Sequence, residues 1–197
     1  MALPNQKPYI PPNEYLELEH NSELRYEYVA GEVYAMSGGS WNHSLIISNT
    51  NRSLGNQLDN KPCTSLVSDM RLHVASVKAY RYPDVMVVCG EPQFHDDRTD
   101  IIINPIVLIE VLSQSPASID HIEKKYEYFQ IPSLKEYLLI SQDKPQIEWY
   151  LRQQDEALLN NIISGIDATM DVVSINCTLK LSDVYQNITF ESSPHEE

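Results

Sequence analysis

Tyr80–Cys89, YRYPDVMVVC, and Pro105–Leu112, PIVLIEVL, decide the fold. Both are nearly continuous apolar runs of strand length, the composition of central strands covered on both faces. Each carries one acid. Asp84 follows Tyr82-Pro83 and precedes Val85-Met86-Val87-Val88, and Glu110 sits within Val107-Leu108-Ile109-Glu110-Val111-Leu112. A carboxylate in such surroundings is costly unless a cation or hydrogen-bond donors meet it. Strand alternation lets both acids point to one side of neighbouring strands, where two carboxylates repel and one pKa rises. A divalent cation removes that conflict, and oxygen-only ligation suits Mg2+ or Mn2+. The bland alternative is a structural ion pair, with Arg71 or Arg81 as the partner of Asp84.

Upstream, residues 25–36 (RYEYVAGEVYAM) alternate on either side of Ala30-Gly31. They predict a hairpin of Arg25–Val29 and Glu32–Met36. Ser37-Gly38-Gly39-Ser40 reads as a flexible loop, with Ser40 as the N-cap of a helix over 41–59. The stripe of that helix is His43, Ile47, Thr50, Leu54 and Leu58. Thr64–Val74 is extended with a break near Asp69, and residues 90–104 form a polar loop. Downstream, a helix is expected over 117–130 with the stripe Ile119, Ile122, Tyr126 and Phe129. Glu136–Ser141 (EYLLIS) is a further buried strand, Gln146–Arg152 its hairpin partner, and the rest to about Tyr185 short strands and a terminal turn or helix. Residues 1–12, with four prolines, form a flexible arm; Asn13 caps a short helix Glu14–Glu19; residues 191–197 are a disordered tail. The pattern indicates one domain over 13–190 of mixed α/β (α+β) class, a central mixed β-sheet flanked by helices, with an N-terminal hairpin.

The chain has 197 residues, 42% of them hydrophobic, enough for one domain with a proper core. Its net charge of −14 weighs against tight, sequence-independent binding to nucleic acid, although acids gathered in a metal site add to that deficit. No apolar run approaches the roughly 20 residues that cross a bilayer. The first residues lack both a basic start and an apolar segment of the secretory kind. The expected location is therefore the cytoplasm, with no membrane partner. Cys63, Cys89 and Cys177 are odd in number and widely spaced, which suggests neither a disulfide framework nor a CxxC metal site.

Cleaving a phosphodiester develops negative charge on the phosphorus oxygens, and a lysine beside a metal can stabilise it. The residue two after Glu110 is Leu112, so that strand supplies no lysine. Lys124 is the candidate, from the next helix, where Asp120, Lys124 and Tyr128 share a face beside the apolar stripe. A surface Asp120–Lys124 pair, worth a few tenths of a kcal/mol, is the competing reading. Lys125 points about 100° away from that face.

The ordered pieces 25–43, SDMRLHV (68–74), YRYPDVMVV (80–88), LIEVLSQSP (108–116) and DHIEKKYEYFQIPSLKEYLLISQD (120–143) together resemble a bacterial restriction-endonuclease family of the PD-(D/E)XK nuclease superfamily. The resemblance runs from about Pro12 to about Arg152, and more loosely to Tyr185. It implies a metal-dependent endodeoxyribonuclease with Asp84 and Glu110 as the paired acids, and with Lys124 replacing the lysine normally found on the strand. It further implies the Val111 carbonyl and Glu32 as metal ligands, and His43 and Asp69 as supporting groups. Tyr128 packs against Lys124 and orients it. Mg2+ or Mn2+ is the implied cofactor, DNA the substrate, and a homodimer the assembly that cuts a duplex. Two alternatives remain open: a nuclease-fold module that binds metal or nucleic acid without cutting, and a structural protein whose buried acids are merely paired.

Overall fold

Proline has no N–H to give a strand ladder and fixes its own φ, so a central strand cannot run through it. Pro83 accordingly divides the first diagnostic stretch into two strands that belong to different sheets. In the computed structural model, which describes residues 8–36, 38–112 and 118–190, β5 (Ala79–Arg81) ends before Tyr82-Pro83-Asp84 and β6 (Val85–Cys89) begins after it. The upstream extended segment divides in the same way, into β3 (Cys63–Val67) and β4 (Arg71–Val74), with a turn at Ser68-Asp69.

The other elements, in chain order, are α1 (Pro12–His20), the hairpin of β1 (Tyr26–Val29) and β2 (Glu32–Ala35), and α2 (Trp41–Leu58). After β6 come β7 (Ile101–Ile102), β8 (Val107–Leu112), α3 (Ser118–Tyr128), β9 (Glu136–Ser141) and β10 (Gln146–Arg152). The chain continues through β11 (Leu158–Ser164), β12 (Thr169–Val172), β13 (Cys177–Lys180) and α4 (Leu181–Val184). Among the described residues these strands form a six-stranded sheet, β11-β10-β9-β8-β6-β3, a five-stranded sheet, β2-β1-β5-β4-β7, and the β12-β13 ribbon. In the six-stranded sheet β8 and β9 run parallel and their other neighbours antiparallel. The mixed α+β class is as expected; the division of the strands between two main sheets is not legible from the apolar runs.

Two layers of core flank the six-stranded sheet. On one side Val85, Val87, Val107 and Ile109 pack with Ile46, Leu54 and Leu58 of α2. On the other, Met86, Leu108 and Tyr137 pack with Tyr128 of α3 and with Leu72 and Ala79 of the five-stranded sheet. A third cluster, Tyr15, Tyr28, Tyr80 and Ile101, lies beneath α1, with the Tyr15 and Tyr28 rings stacked at 5.0 Å.

Several local expectations are corrected. The first helix starts at Pro12, a residue suited to a helix's first position because its missing N–H is not needed there, and Asn13 is not its cap. Ile10, counted in the arm, donates its N–H to the Gly31 carbonyl at 2.9 Å and accepts from the Tyr28 hydroxyl. The residues at 1–7, 37 and 191–197 lie outside the described residues, so most of the arm, the start of the glycine loop and the tail are not addressed. Half of the stripe expected on α3 faces outward, Ile122 at 53% and Tyr126 at 63% exposure, while Phe129 packs against the core as expected, the side chain of Ile119 lies outside the described residues, and the buried side carries Lys124 and Tyr128. The cysteine reading is overturned. Cys63 and Cys89 stand directly opposite each other on β3 and β6 and form a disulfide, leaving Cys177 as a buried thiol. A separation of 26 residues conceals that register.

Candidate active site

The β6–β8 register pairs Val85 with Ile109 and Met86 with Leu108. That pairing ends at Val85; continued one step it would set Asp84 opposite Glu110, and the Asp84 side chain reaches the N–H of Val111, the residue after Glu110. Asp84 stands where β6 ends, half-buried; Glu110 lies within β8 and is buried. The Asp84 carboxylate accepts from the Val111 N–H at Oδ2, 2.7 Å, and His43 Nε2 lies 3.3 Å from the same oxygen. His43 reaches it from the first turn of α2, which Ser40 caps through a 3.1 Å bond to the His43 N–H. The Asp84 carboxylate raises the His43 pKa above its ordinary value, burial opposes this, and Glu110 and the Val111 carbonyl add to the rise.

Glu110 is surrounded from the other side. The Tyr128 hydroxyl donates to Oε1 at 2.7 Å, and Lys124 Nζ lies 3.8 Å from the same oxygen. Lys124 also donates to Glu27 Oε1 at 3.2 Å. Glu27 is opposite Arg81, as the neighbouring Tyr28–Tyr80 pair requires, and Arg81 donates to its Oε2 at 2.8 Å. The same guanidinium grips Glu127 of α3 with three bonds of 2.9–3.0 Å. One continuous network therefore ties β1, β5, β8 and α3 together.

The charges in this network titrate unusually. Burial pushes the Glu110 carboxyl up to about 7, with Asp84 and Glu27 adding repulsion, while Lys124 and the Tyr128 bond act against it. Burial alone would raise Glu27 too, but Lys124 and Arg81 outweigh it and hold Glu27 below its usual range. Glu110 is thus the acid whose charge is least compensated.

The donor set can be compared with what a divalent cation takes. Among the described residues, Oδ1 of Asp84 and Oε2 of Glu110 accept no hydrogen bond, so one oxygen of each acid is uncommitted. No three His, Cys, Asp or Glu side chains among the described residues converge as a ready-made cage. Two carboxylates completed by a carbonyl and water suit Mg2+, which keeps several waters and seldom takes an all-protein cage.

Other expected site residues stand further off. Glu32, half-buried, shares the inner face of the hairpin one strand outward, with the Tyr34 hydroxyl on its Oε2 at 2.8 Å. Asp69 is exposed in the turn and pairs with Arg25. Its neighbour Ser68 bonds the Asp84 carbonyl through N–H and hydroxyl, both at 3.3 Å. The arginines weighed as partners of Asp84 go elsewhere: Arg71 to Glu19 and Asp100, Arg81 to Glu27 and Glu127. Asp120's side chain lies outside the described residues, and with it the Asp120–Lys124 pair. Sequence reasoning missed Glu27, Arg81 and Glu127. The one available signal was Glu27 itself, an acid alternating with tyrosines on an inward-facing strand.

Comparison with known proteins gives the family of the chain. A family model described as "Putative restriction endonuclease", Uma2, matches residues 12–179. The chain belongs to the Uma2 family. Two uncharacterized proteins of Synechocystis sp. resemble it over most of their length. One, sll1609, is 37% identical over 158 residues, covering 80% of this chain and 89% of its own. The other, slr1290, is 32% identical over 183 residues, covering 93% and 95%. The crystal structure of a putative nuclease belonging to DUF820 from Anabaena variabilis superposes with a TM-score of 0.72 at 19% identity, over 88% of this chain and 96% of that one. At that identity the likeness is one of fold. Membership of Uma2 bears out the resemblance to the restriction-endonuclease family and places the chain among nuclease-type proteins.

Proposed function

We propose that the chain hydrolyses DNA phosphodiester bonds with the help of Mg2+ or Mn2+. The observation that carries the reading is the pair Asp84 and Glu110 at adjoining strand ends, Asp84 bonded to the N–H of Val111, each acid with one oxygen uncommitted among the described residues, and a buried lysine 3.8 Å from Glu110. Asp84, Glu110 and the Val111 carbonyl would hold the cation, with Glu32 as an outer candidate. When bound, the cation supplies Lewis acidity toward a phosphoryl oxygen and a more acidic water.

The remaining work falls to the chain's own side chains. Tyr128 fixes the Glu110 carboxylate by its 2.7 Å bond, so that one oxygen of that acid is held and the other is presented. Val111 N–H does the same for Asp84. Lys124, steadied by Glu27, offers its charge to the phosphorus oxygens as they become more negative, or orients the attacking water. His43 holds Asp84 from the far side. Asp69 supports the site through the Ser68 turn rather than by direct contact.

Cutting both strands of a duplex calls for two such centres, and a homodimer follows from the reading. The net charge of −14 favours a second reading, a module that binds metal or nucleic acid without cutting. Incubation with linear, supercoiled and branched DNA and Mg2+ or Mn2+ separates the two. Metal-dependent cleavage lost in Asp84→Ala supports hydrolysis; cleavage unchanged in that variant refutes the assignment. Calorimetric metal binding with every DNA left intact supports the second reading.

A further inference from the structure

We propose that the phosphate backbone of DNA lies in an acid-free groove beside α2, anchored by Arg52, and is led along it to the Asp84–Glu110 centre. This rests on the nuclease reading and adds the path of the substrate to it. The chain carries 28 acidic residues, yet Trp41–Leu58 (WNHSLIISNTNRSLGNQL) contains none. Ser44, Ser48, Asn51 and Arg52 recur at helical spacing on one face of α2 and line a groove of about 460 Å3, with Val67 and Ser68 opposite. No carboxylate among the described residues lines it.

One end of the groove abuts the site. Ser44 follows His43, whose ring faces Asp84, and Ser68 bonds the Asp84 carbonyl. At the other end the Arg52 guanidinium is held by the amide oxygens of Asn49 at 3.1 Å and Gln186 at 2.8 Å. No carboxylate among the described residues forms an ion pair with it, although Asp183 lines the neighbouring cavity that Arg52 also borders, so its charge is fixed in place by neutral groups. Asn51 accepts from the Ser65 hydroxyl at 2.6 Å through Oδ1, which leaves its Nδ2 hydrogens for another acceptor. Arginine, serine and asparagine donors without sequence-reading geometry are the equipment of phosphate contact. In a chain whose overall field repels DNA, a neutral-to-basic lane is the approach that costs least.

The test is binding of a fluorescein-labelled duplex by anisotropy, with Ca2+ replacing Mg2+ so that no strand is cut, over a salt series, with cleavage assayed separately. Arg52→Ala weakens binding about tenfold on every sequence and flattens the log-affinity against log-salt slope by about one. Arg52→Lys keeps the slope. Ser48→Glu, an exposed position, also weakens binding and reports even if Arg52→Ala disturbs the Gln186 contact. If the wild type binds and cuts while Arg52→Ala and Ser48→Glu bind with unchanged affinity and slope, the groove is wrong and the nuclease reading stands. If the wild type neither binds nor cuts any DNA, the nuclease reading fails and takes the groove with it.

Discussion

Replacing Glu110 by glutamine tests the electrostatic argument without relying on activity. Glu110 is only 6% exposed, and its carboxyl is pushed from 4.5 up to about 7, by burial first and then by Asp84 and Glu27. At 1.36 kcal/mol per pKa unit, this corresponds to about 3 kcal/mol. A folded-state pKa above the unfolded one means the folded chain binds more protons between about pH 4.5 and about pH 7. Stability from this group is therefore present below that window, falls across it as pH rises, and stays lost above. Glutamine keeps an oxygen for the Tyr128 hydroxyl but never ionises. Urea unfolding in EDTA at several values between about pH 4.5 and about pH 8 should show Glu110→Gln gaining on the wild type by about 3 kcal/mol as pH rises. Excess Mg2+ should reduce that gain, because a cation held by the ionised pair favours the wild type. A difference that stays flat with pH in EDTA would mean that Glu110 is neither desolvated nor crowded by acids, and the reasoning fails with it.

Three further outcomes follow from the same network. Glu27→Ala leaves Arg81 and Lys124 buried beside a lost carboxylate and should cost about 3–5 kcal/mol, read by denaturant melts. Lys124→Ala should lower the metal-dependent cleavage rate by about 100-fold or more and, in the metal-free protein, raise the Glu110 pKa further, since Lys124 is what lowers it. Cys63→Ser should lose about 3 kcal/mol under oxidising conditions and nothing comparable under reducing ones, as expected for opening a loop of 26 residues; mass spectrometry of alkylated protein checks the bond itself.

The fold class, the hairpin, α2, β8 and the β9–β10 pair are legible from sequence because they depend on local periodicity. β9 is buried at every position, as a continuous apolar run predicts, and Ala30 and Gly31 take the positive φ values that a two-residue hairpin turn needs. The outward placement of Ile122 and Tyr126 on α3 is not legible. Their spacing assigns them to the core, yet the helix turns Lys124, Glu127 and Tyr128 inward because three buried charges on the facing strands need partners. Charge satisfaction outweighs the burial of Ile122 and Tyr126: an unpaired buried ion costs several kcal/mol, whereas burying one apolar side chain contributes about 2. Glu27 was missed for the same reason, since its importance comes from a strand neighbour 54 residues away.

The location of the acids follows from Pro83 more than from the apolar runs around it. A strand continuing through positions 82–84 would have placed Asp84 in a ladder, its backbone committed and its side chain hemmed by neighbours. Breaking the strand there hands the chain from the five-stranded sheet to the six-stranded one, and the turn at Ser68-Asp69 makes the reverse transfer next to it. At this seam β8 extends beyond the end of β6, so the Val111 N–H meets the Asp84 side chain instead of a strand partner. Both sheets can then contribute charges to one space: Glu27 and Arg81 from one, Glu110 from the other, and Asp84 from the connection between them. The break in the ladder leaves Asp84 half-buried at the seam rather than sealed in the core, which is the position the proposed nuclease reading requires of it.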